Sequence, residues 1–587
     1  MALGVATPAQ QLAPGVAKGY SVPDYYPPPH QTQLRSLLKG AEATFKPGEP
    51  VQVRRVTVER FQESGTREMF LEVPECSYDY TAREAWSAGP LKVQLQEGRF
   101  TLEGEGFRWQ QTNALLVISN RIRTTIRGGW LASGGATPAL GDVQVLADQF
   151  VFNGQTTQAV YRGHVRVTGT NLDLGCGRLS FVLPATSAGA VDQLLAEQDV
   201  AMDFNELHAA ADRVVYSPGS GSMRLREKAA WRAQGREGRG DELWLDSSTQ
   251  SLRARGGAML KLPVSGASFI PQRANAATSP VEATNRFVTI TSERYELQTN
   301  QVNFSGGVRM VERTGEIDSS RLTCDSLFAT FGPSNRVQTL VAEQGVVIEQ
   351  GERRLTGARA AYDGATGTMQ LTGQPEWRDG ERFGAGEVLL ADLRQNQFAV
   401  RGQASLNLPH SQAGRLFGTL AGGSTNRLEK VEKTNPAAPP TRITSDDYTF
   451  APEAAVFHGH VQVDDAQMQL TTDALALKLA PGGTNVVSIT AGQNVVMSLV
   501  ETNGQVTRAT AAQAVYTATN STLELTGQPR VQRFDGSWFS AEVIWYNPAT
   551  GGLSARRGMR GRIVEPAGSA TNAPTLPFNT KSAKRKK

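Results

Sequence analysis

Apolar and polar residues alternate along much of the chain with a period of two. From Tyr161 to Val167 the odd positions are Tyr161, Gly163, Val165 and Val167, and the even ones are Arg162, His164 and Arg166. Such alternation puts one face in a core and the other in water, the pattern of a half-buried antiparallel strand. Val51-Gln-Val-Arg-Arg-Val-Thr-Val58 reads in a similar way. Turn residues such as Ser217-Pro-Gly-Ser220 and Asp363-Gly-Ala-Thr366 punctuate these runs. The pattern therefore predicts short strands of about five to seven residues. Few windows carry a helical period. Residues 191–198 could pass as helix, but a later copy reads Val486-Val-Ser-Ile489, whose β-branched residues favour strand. No apolar run approaches the roughly 18 residues of a membrane-spanning helix.

The pattern repeats on a longer scale. Val191-x-x-Leu194-x-Ala196-Glu197-Gln198-x-Val200-x-Met202 returns as Val337-x-x-Leu340-x-Ala342-Glu343-Gln344-x-Val346-x-Ile348, and as Val486-x-x-Ile489-x-Ala491-Gly492-Gln493-x-Val495-x-Met497. The glutamines stand 146 and 149 residues apart. Tyr216, Leu225 and Trp231 are matched in spacing by Tyr362, Leu371 and Trp377, and by Tyr516, Leu525 and Val531. A third block, Tyr161-x-Gly163-x-Val165-x-Val167, matches Phe304-x-Gly306-x-Val308-x-Met310 and Phe457-x-Gly459-x-Val461-x-Val463. Fixed order at a fixed period identifies a tandem repeat.

Units are expected at 140–263, 287–409 and 441–565, separated by polar stretches near 264–286 and 410–440. Residues 34–130 read as a divergent or capping unit, 1–33 as an extended arm with polyproline character, and 566–587 as a basic disordered tail. Each unit would hold roughly ten to twelve strands, enough to form two facing sheets. The glycine central to the third block reads as a β-bulge, or as room for a ligand beside the aromatic residue.

At this point the chain resembles the OstA-like domain of lipopolysaccharide-transport proteins of the LptA, LptC and LptD type. The residues that carry the resemblance are Ala358, Tyr362, Leu371, Gly373, Pro375 and Gly402, and Ala512, Tyr516, Leu525, Gly527, Pro529 and Gly558. The first unit departs from it, with Arg226-Glu-Lys in place of Thr-Gly-Gln. The resemblance implies an all-β fold: tandem antiparallel β-taco (β-jellyroll) units stacked into an elongated open sandwich. It also implies a periplasmic location and a role in carrying lipopolysaccharide or a related glycolipid between inner and outer membranes. Partners would be the lipid itself and other Lpt-type β-jellyroll proteins, joined by edge-strand pairing; residues 34–130 would be an LptC-like unit or a cap. Several such domains in one chain depart from the family's usual single domain. Groove-lining candidates are Tyr161, Val165, Val167, Phe304, Val308, Met310, Phe457, Val461 and Val463. The alternative is a closed β-repeat scaffold, in which the same residues simply fill a core.

Composition and charge narrow the chemistry. Sixty Lys and Arg against 56 Asp and Glu give a net charge of +4, no nucleic-acid footprint at this length. Met1-Ala-Leu-Gly-Val-Ala-Thr-Pro8 has neither a basic n-region nor a leucine-rich h-region, so no signal peptide is recognisable in it. Cys76, Cys176 and Cys324 show neither zinc nor disulfide spacing and read as small buried hydrophobes. His458-x-His460 flanks Gly459 on a polar face and is not expected to bind metal. No P-loop, nucleophile elbow or recurring carboxylate pair is present. No catalytic residue and no cofactor is expected.

Overall fold

The computed structural model describes residues 15–127, 141–183, 191–263, 286–408, 440–480, 486–547 and 552–564, apart from 205, 247, 316, 333–335, 467, 501–503 and 521. Within them the protein is all-β and antiparallel, and its helical content is one short 3-10 turn at Gln96–Gly98.

The strands are longer than the alternation predicts. Gln158–Gly169 has 12 residues, Gln301–Thr314 has 14 and Val486–Val500 has 15. The difference lies in the repeated motifs, which bend strands rather than end them. Gly163 and His164 both adopt left-handed conformations, with φ of 77° and 42°. Across them the pairing with Leu172–Val182 skips from Arg162↔Arg178 to Val165↔Cys176 and then continues. This is a β-bulge, which adds residues to one strand and bends it. The same two-residue device sits at Gln198-Asp199, Glu227-Lys228 and Gly256-Gly257, and at Gln344-Gly345, Gly402-Gln403, Gly459-His460 and Gln493-Asn494. The repeated glutamines and glycines are therefore corner residues. At Gly373-Gln374 and Gly527-Gln528 the bend is followed by Pro375 or Pro529, which cannot donate to the ladder, and the strand divides in two.

Each bent strand gives one half to each of two walls, and apolar side chains from both walls fill the space between them. Trp109, Tyr78, Tyr161, Tyr448, Phe100, Phe150, Phe304 and Phe457 are among the largest fully buried side chains.

Two compact units divide the chain. One holds the residues to Leu262 together with Thr291–Phe304; the other holds Pro263–Ile290 and Ser305 onward. Within the first unit, Tyr295 of Thr291–Phe304 accepts a hydrogen bond from Trp231. The repeats proposed from sequence divide the chain differently.

Part of the expected N-terminal arm is built into the sheet. Gly15–Tyr25 is a strand paired along its length with Leu34–Phe45, so the backbone groups of that second strand are satisfied on both sides. The expected tail at 566–587 and nearly all of both polar linkers lie outside the described residues.

Candidate functional site

All nine residues predicted to line a groove point into the interior, and none is more than 7% exposed. Each of the three strands carries its aromatic residue just before the bend and its aliphatic residues just after it. A ring on the preceding strand packs against each aromatic residue. Phe150 lies 5.0 Å from Tyr161, Tyr295 5.6 Å from Phe304, and Tyr448 5.4 Å from Phe457, between ring centroids. Tyr295 and Tyr448 were not among the predicted residues. Their signal was present: each stands nine residues before the motif aromatic.

Hydrogen bonds cross this apolar interior from wall to wall. Trp377 Nε1 donates to Tyr448 Oη at 2.7 Å, and the Tyr448 hydroxyl donates to the Ser405 carbonyl at 3.3 Å. Trp377 pairs with Gly384, and Gly384 with Leu406, in the half-strand after the Gly402-Gln403 bend. Tyr448 pairs with Val400, before that bend. The two rings therefore belong to opposite walls. In the other unit Trp231 Nε1 donates to Tyr295 Oη at 2.8 Å, and Tyr161 Oη donates to Thr124 Oγ1 at 2.9 Å. Burial raises the pKa of all three tyrosines well above the phenol range, so each stays a neutral hydroxyl.

At the margin of the first unit the walls are joined by polar groups. Arg60 Nε contacts Glu68 at 2.6 Å, and Arg60 Nη2 donates to the Gly154 carbonyl at 2.8 Å. Arg60 lies on Val51–Phe61, five strand spacings from the strand preceding Gly154, or about 24 Å along the sheet. A contact between them therefore closes one wall onto the other. Asp24 with Arg83 at 3.1 Å, and Ser36 with Gln111 at 3.1 Å, extend this seam. Sequence reading did not single out these residues, because a charged side chain at a strand end carries no mark of the distant strand it will meet.

The bends also explain two cysteines. Cys324 Sγ donates to the Ser326 carbonyl at 3.1 Å. The repeat-equivalent Thr472 hydroxyl donates to the Ala474 carbonyl at 3.2 Å, and Ser292 and Ser445 reach the carbonyls of Arg294 and Asp447. Cys176 is also buried, and there the Arg178 and Glu197 backbone hydrogen-bonds toward the sulfur instead. All three cysteines are buried, as expected from sequence, and the Cys324 thiol is in addition a donor at a corner. Burial pushes the Cys324 thiol up to about 12 and Cys176 up to about 11, so neither is a reactive thiolate. Cys324→Ser is expected to cost less than about 1 kcal/mol, whereas Cys324→Val, which strands the carbonyl, is expected to cost about 1–3 kcal/mol. Urea unfolding of the two variants measures the difference.

On the outer side of the bends, the second residue of the left-handed pair reaches an acid at the corresponding corner of the preceding part of the sheet. His164 Nδ1 lies 2.8 Å from Asp148, Lys228 3.0 Å from Asp212, and His460 Nδ1 3.0 Å from Asp446. The Asp446 hydrogen bond, reinforced by its charge, raises the pKa of His460 above the ordinary imidazole value of 6.5. The stabilising contribution of that contact is present in full below the unfolded-state value and is lost as pH rises through the folded-state one. Asp446→Asn is expected to lower the His460 titration midpoint toward the ordinary value, with Asp473 still raising it, as read from its ring proton shifts.

Comparison with known proteins bears on this arrangement of bent strands around an apolar interior. Residues 144–251 and 442–552 match the family described as LptA/(LptD N-terminal domain) LPS transport protein. Both segments are similar to that family. The middle repeat, outside the matched segments, has the same bends at Gln344-Gly345, Gly373-Gln374 and Gly402-Gln403. Among solved structures, LptH from Pseudomonas aeruginosa, the LptA homologous periplasmic component of the conserved lipopolysaccharide transport device, is 21% identical. The alignment covers 22% of this chain and 96% of that one, with a TM-score of 0.20. No curated protein matches the chain.

Proposed function

We propose that this protein is a periplasmic, non-enzymatic carrier of lipopolysaccharide or a related glycolipid that shields acyl chains between the walls of its Lpt repeats and helps bridge the inner and outer membranes. The observation that carries the reading is the match of two segments to the Lpt family, in a chain whose bent strands face an apolar interior lined by Tyr161, Phe304, Phe457 and their aliphatic neighbours. The energetics suit the task. Burying a methylene is worth about 0.8 kcal/mol, so a chain of about a dozen carbons gains on the order of 10 kcal/mol by leaving water. No bond is made or broken, so the task needs no catalytic group. Among the described residues, Gly15–Tyr25 and Arg560–Arg562 each pair on one side only, and such edges can accept a strand from another Lpt-type protein.

The near-complete burial of the same residues favours a second reading, a closed structural scaffold of the cell envelope. Photo-crosslinking separates the two. A photoreactive residue at Phe304 or Phe457, incubated with lipopolysaccharide, is expected to give lipid adducts, while exposed Arg309 and Gln462 are expected to give none. Adducts at no position in a folded protein would replace the carrier with the scaffold.

A further inference from the structure

The wall-to-wall bonds at Trp231 and Trp377 are built alike. Trp231 pairs across the ladder with Gly238, and Trp377 with Gly384. A β-carbon on either glycine would overlap both the indole nitrogen and the phenol oxygen of the bond it faces. Each glycine thus leaves the space in which an indole and a phenol from opposite walls can meet. The tyrosines follow the same rule, each three residues after a serine, Ser292 or Ser445, that braces the bend. Trp231 and Trp377, and likewise Gly238 and Gly384, are 146 residues apart. In the last repeat the corresponding pair is Val531 and Phe539, with neither an indole nor a glycine.

We propose that Trp231–Tyr295 and Trp377–Tyr448 are displaceable clasps, which hold the walls together and which an acyl chain must part as it moves into the interior. This rests on the carrier reading above. The physical basis is the contrast between the two kinds of contact across the interior. Apolar contacts between walls are exchanged for similar contacts with a chain at little cost. A buried N–H···O bond is directional, and parting it in hydrocarbon leaves two polar groups without partners. The clasps therefore resist chain insertion where the surrounding aliphatic side chains do not. Val531 and Phe539 put no such polar resistance at the equivalent place in the last repeat. The clasps act on the rate of insertion, and they discriminate among repeats.

The test uses the full-length protein and a long-chain polyene fatty acid whose fluorescence rises on leaving water. Tyr448→Phe and Trp377→Phe each remove the bond while keeping a ring in place. Each is expected to accelerate probe association about fivefold to tenfold, the equivalent of one net hydrogen bond. The double variant is expected to be no faster than Tyr448→Phe, because that change by itself removes the Trp377–Tyr448 bond together with the weaker one from Tyr448 to the Ser405 carbonyl. A variant that merely loosened packing would add to the other. In parallel, the indole N–H resonance of Trp377, assigned by its loss in Trp377→Phe, is expected to be protected from exchange without probe and to shift on loading. If the wild type binds probe, yet both variants bind at the wild-type rate and the Trp377 resonance is unmoved, the clasp proposal is overturned and the carrier reading stands. If the wild type takes up neither this probe nor lipopolysaccharide, the carrier reading fails and the clasp proposal falls with it.

Discussion

Replacing Arg60 by alanine is expected to destabilise the first unit by about 3–5 kcal/mol, the range for a buried ion pair that loses one partner. Arg60 and Glu68 are both nearly inaccessible, and the guanidinium also satisfies the Gly154 carbonyl on the facing wall. Without Arg60 the carboxylate has no buried counter-charge and the wall-to-wall contact is gone. Burial already holds Glu68 above the usual carboxylate range, against the lowering influence of Arg60. In the variant that lowering influence disappears and the pKa climbs further. A carboxyl with a raised folded-state pKa costs nothing while protonated and progressively more as pH rises through its titration. The penalty of Arg60→Ala is therefore expected to be largest at neutral pH and to shrink in mild acid, as thermal unfolding at the two pH values would show. Arg60→Met with Glu68→Leu supplies the control, since removing both charges is expected to restore most of the stability. Equal losses in the single and double variants would mean that the ion pair does not hold the seam.

Phe457→Ala is expected to cost about 3–5 kcal/mol in the second unit. The ring is fully buried and packs on Tyr448 and Phe450, whose neighbours Phe398 and Trp377 continue the cluster. Removing it leaves a cavity, because the cluster is fixed on one side by the Trp377–Tyr448 bond and on the other by the bend at Gly459. That bend needs its glycine: a β-carbon at Gly459 would overlap the Asp446 carboxylate, and its φ is 72°. Hydrogen exchange of the strand Ala454–Asp464 measures the loss. A cost below about 1 kcal/mol would mean that the walls close readily over missing volume, and that the interior is softer than its packing indicates.

Much of the architecture is legible in the chain. Period-two alternation identifies Tyr161, Val165 and Val167 as inward residues, and the structure buries all three. The glycine at the centre of that motif was ambiguous between a bulge and space for a ligand; its left-handed conformation and the shift in pairing identify a bulge. The error in strand length has the same origin. A glycine followed by a polar residue is also turn chemistry, and only the ladder on either side shows that the strand bends at a corner and goes on pairing with the same neighbour beyond it. Cys324 is buried as expected, but its second role stays hidden in the sequence for a related reason. Its apolar character is local, whereas its role as a donor appears only when the bend places the Ser326 carbonyl beside it. The third copy, with Thr472 in the same place, held the clue.

By itself the sequence determined the repeat, the all-β class, the inward and outward faces of the strands, and the apolar nature of the interior. These follow from spacing along one strand, where a side chain's direction depends on little more than whether its position is odd or even. Tertiary structure alone decided what meets across the interior: Trp377 with Tyr448, Trp231 with Tyr295, and Arg60 with Gly154. Those partners are 64 to 94 residues apart in the chain. They come together because successive bends stack two walls face to face, and the register of every intervening strand contributes to where each side chain arrives.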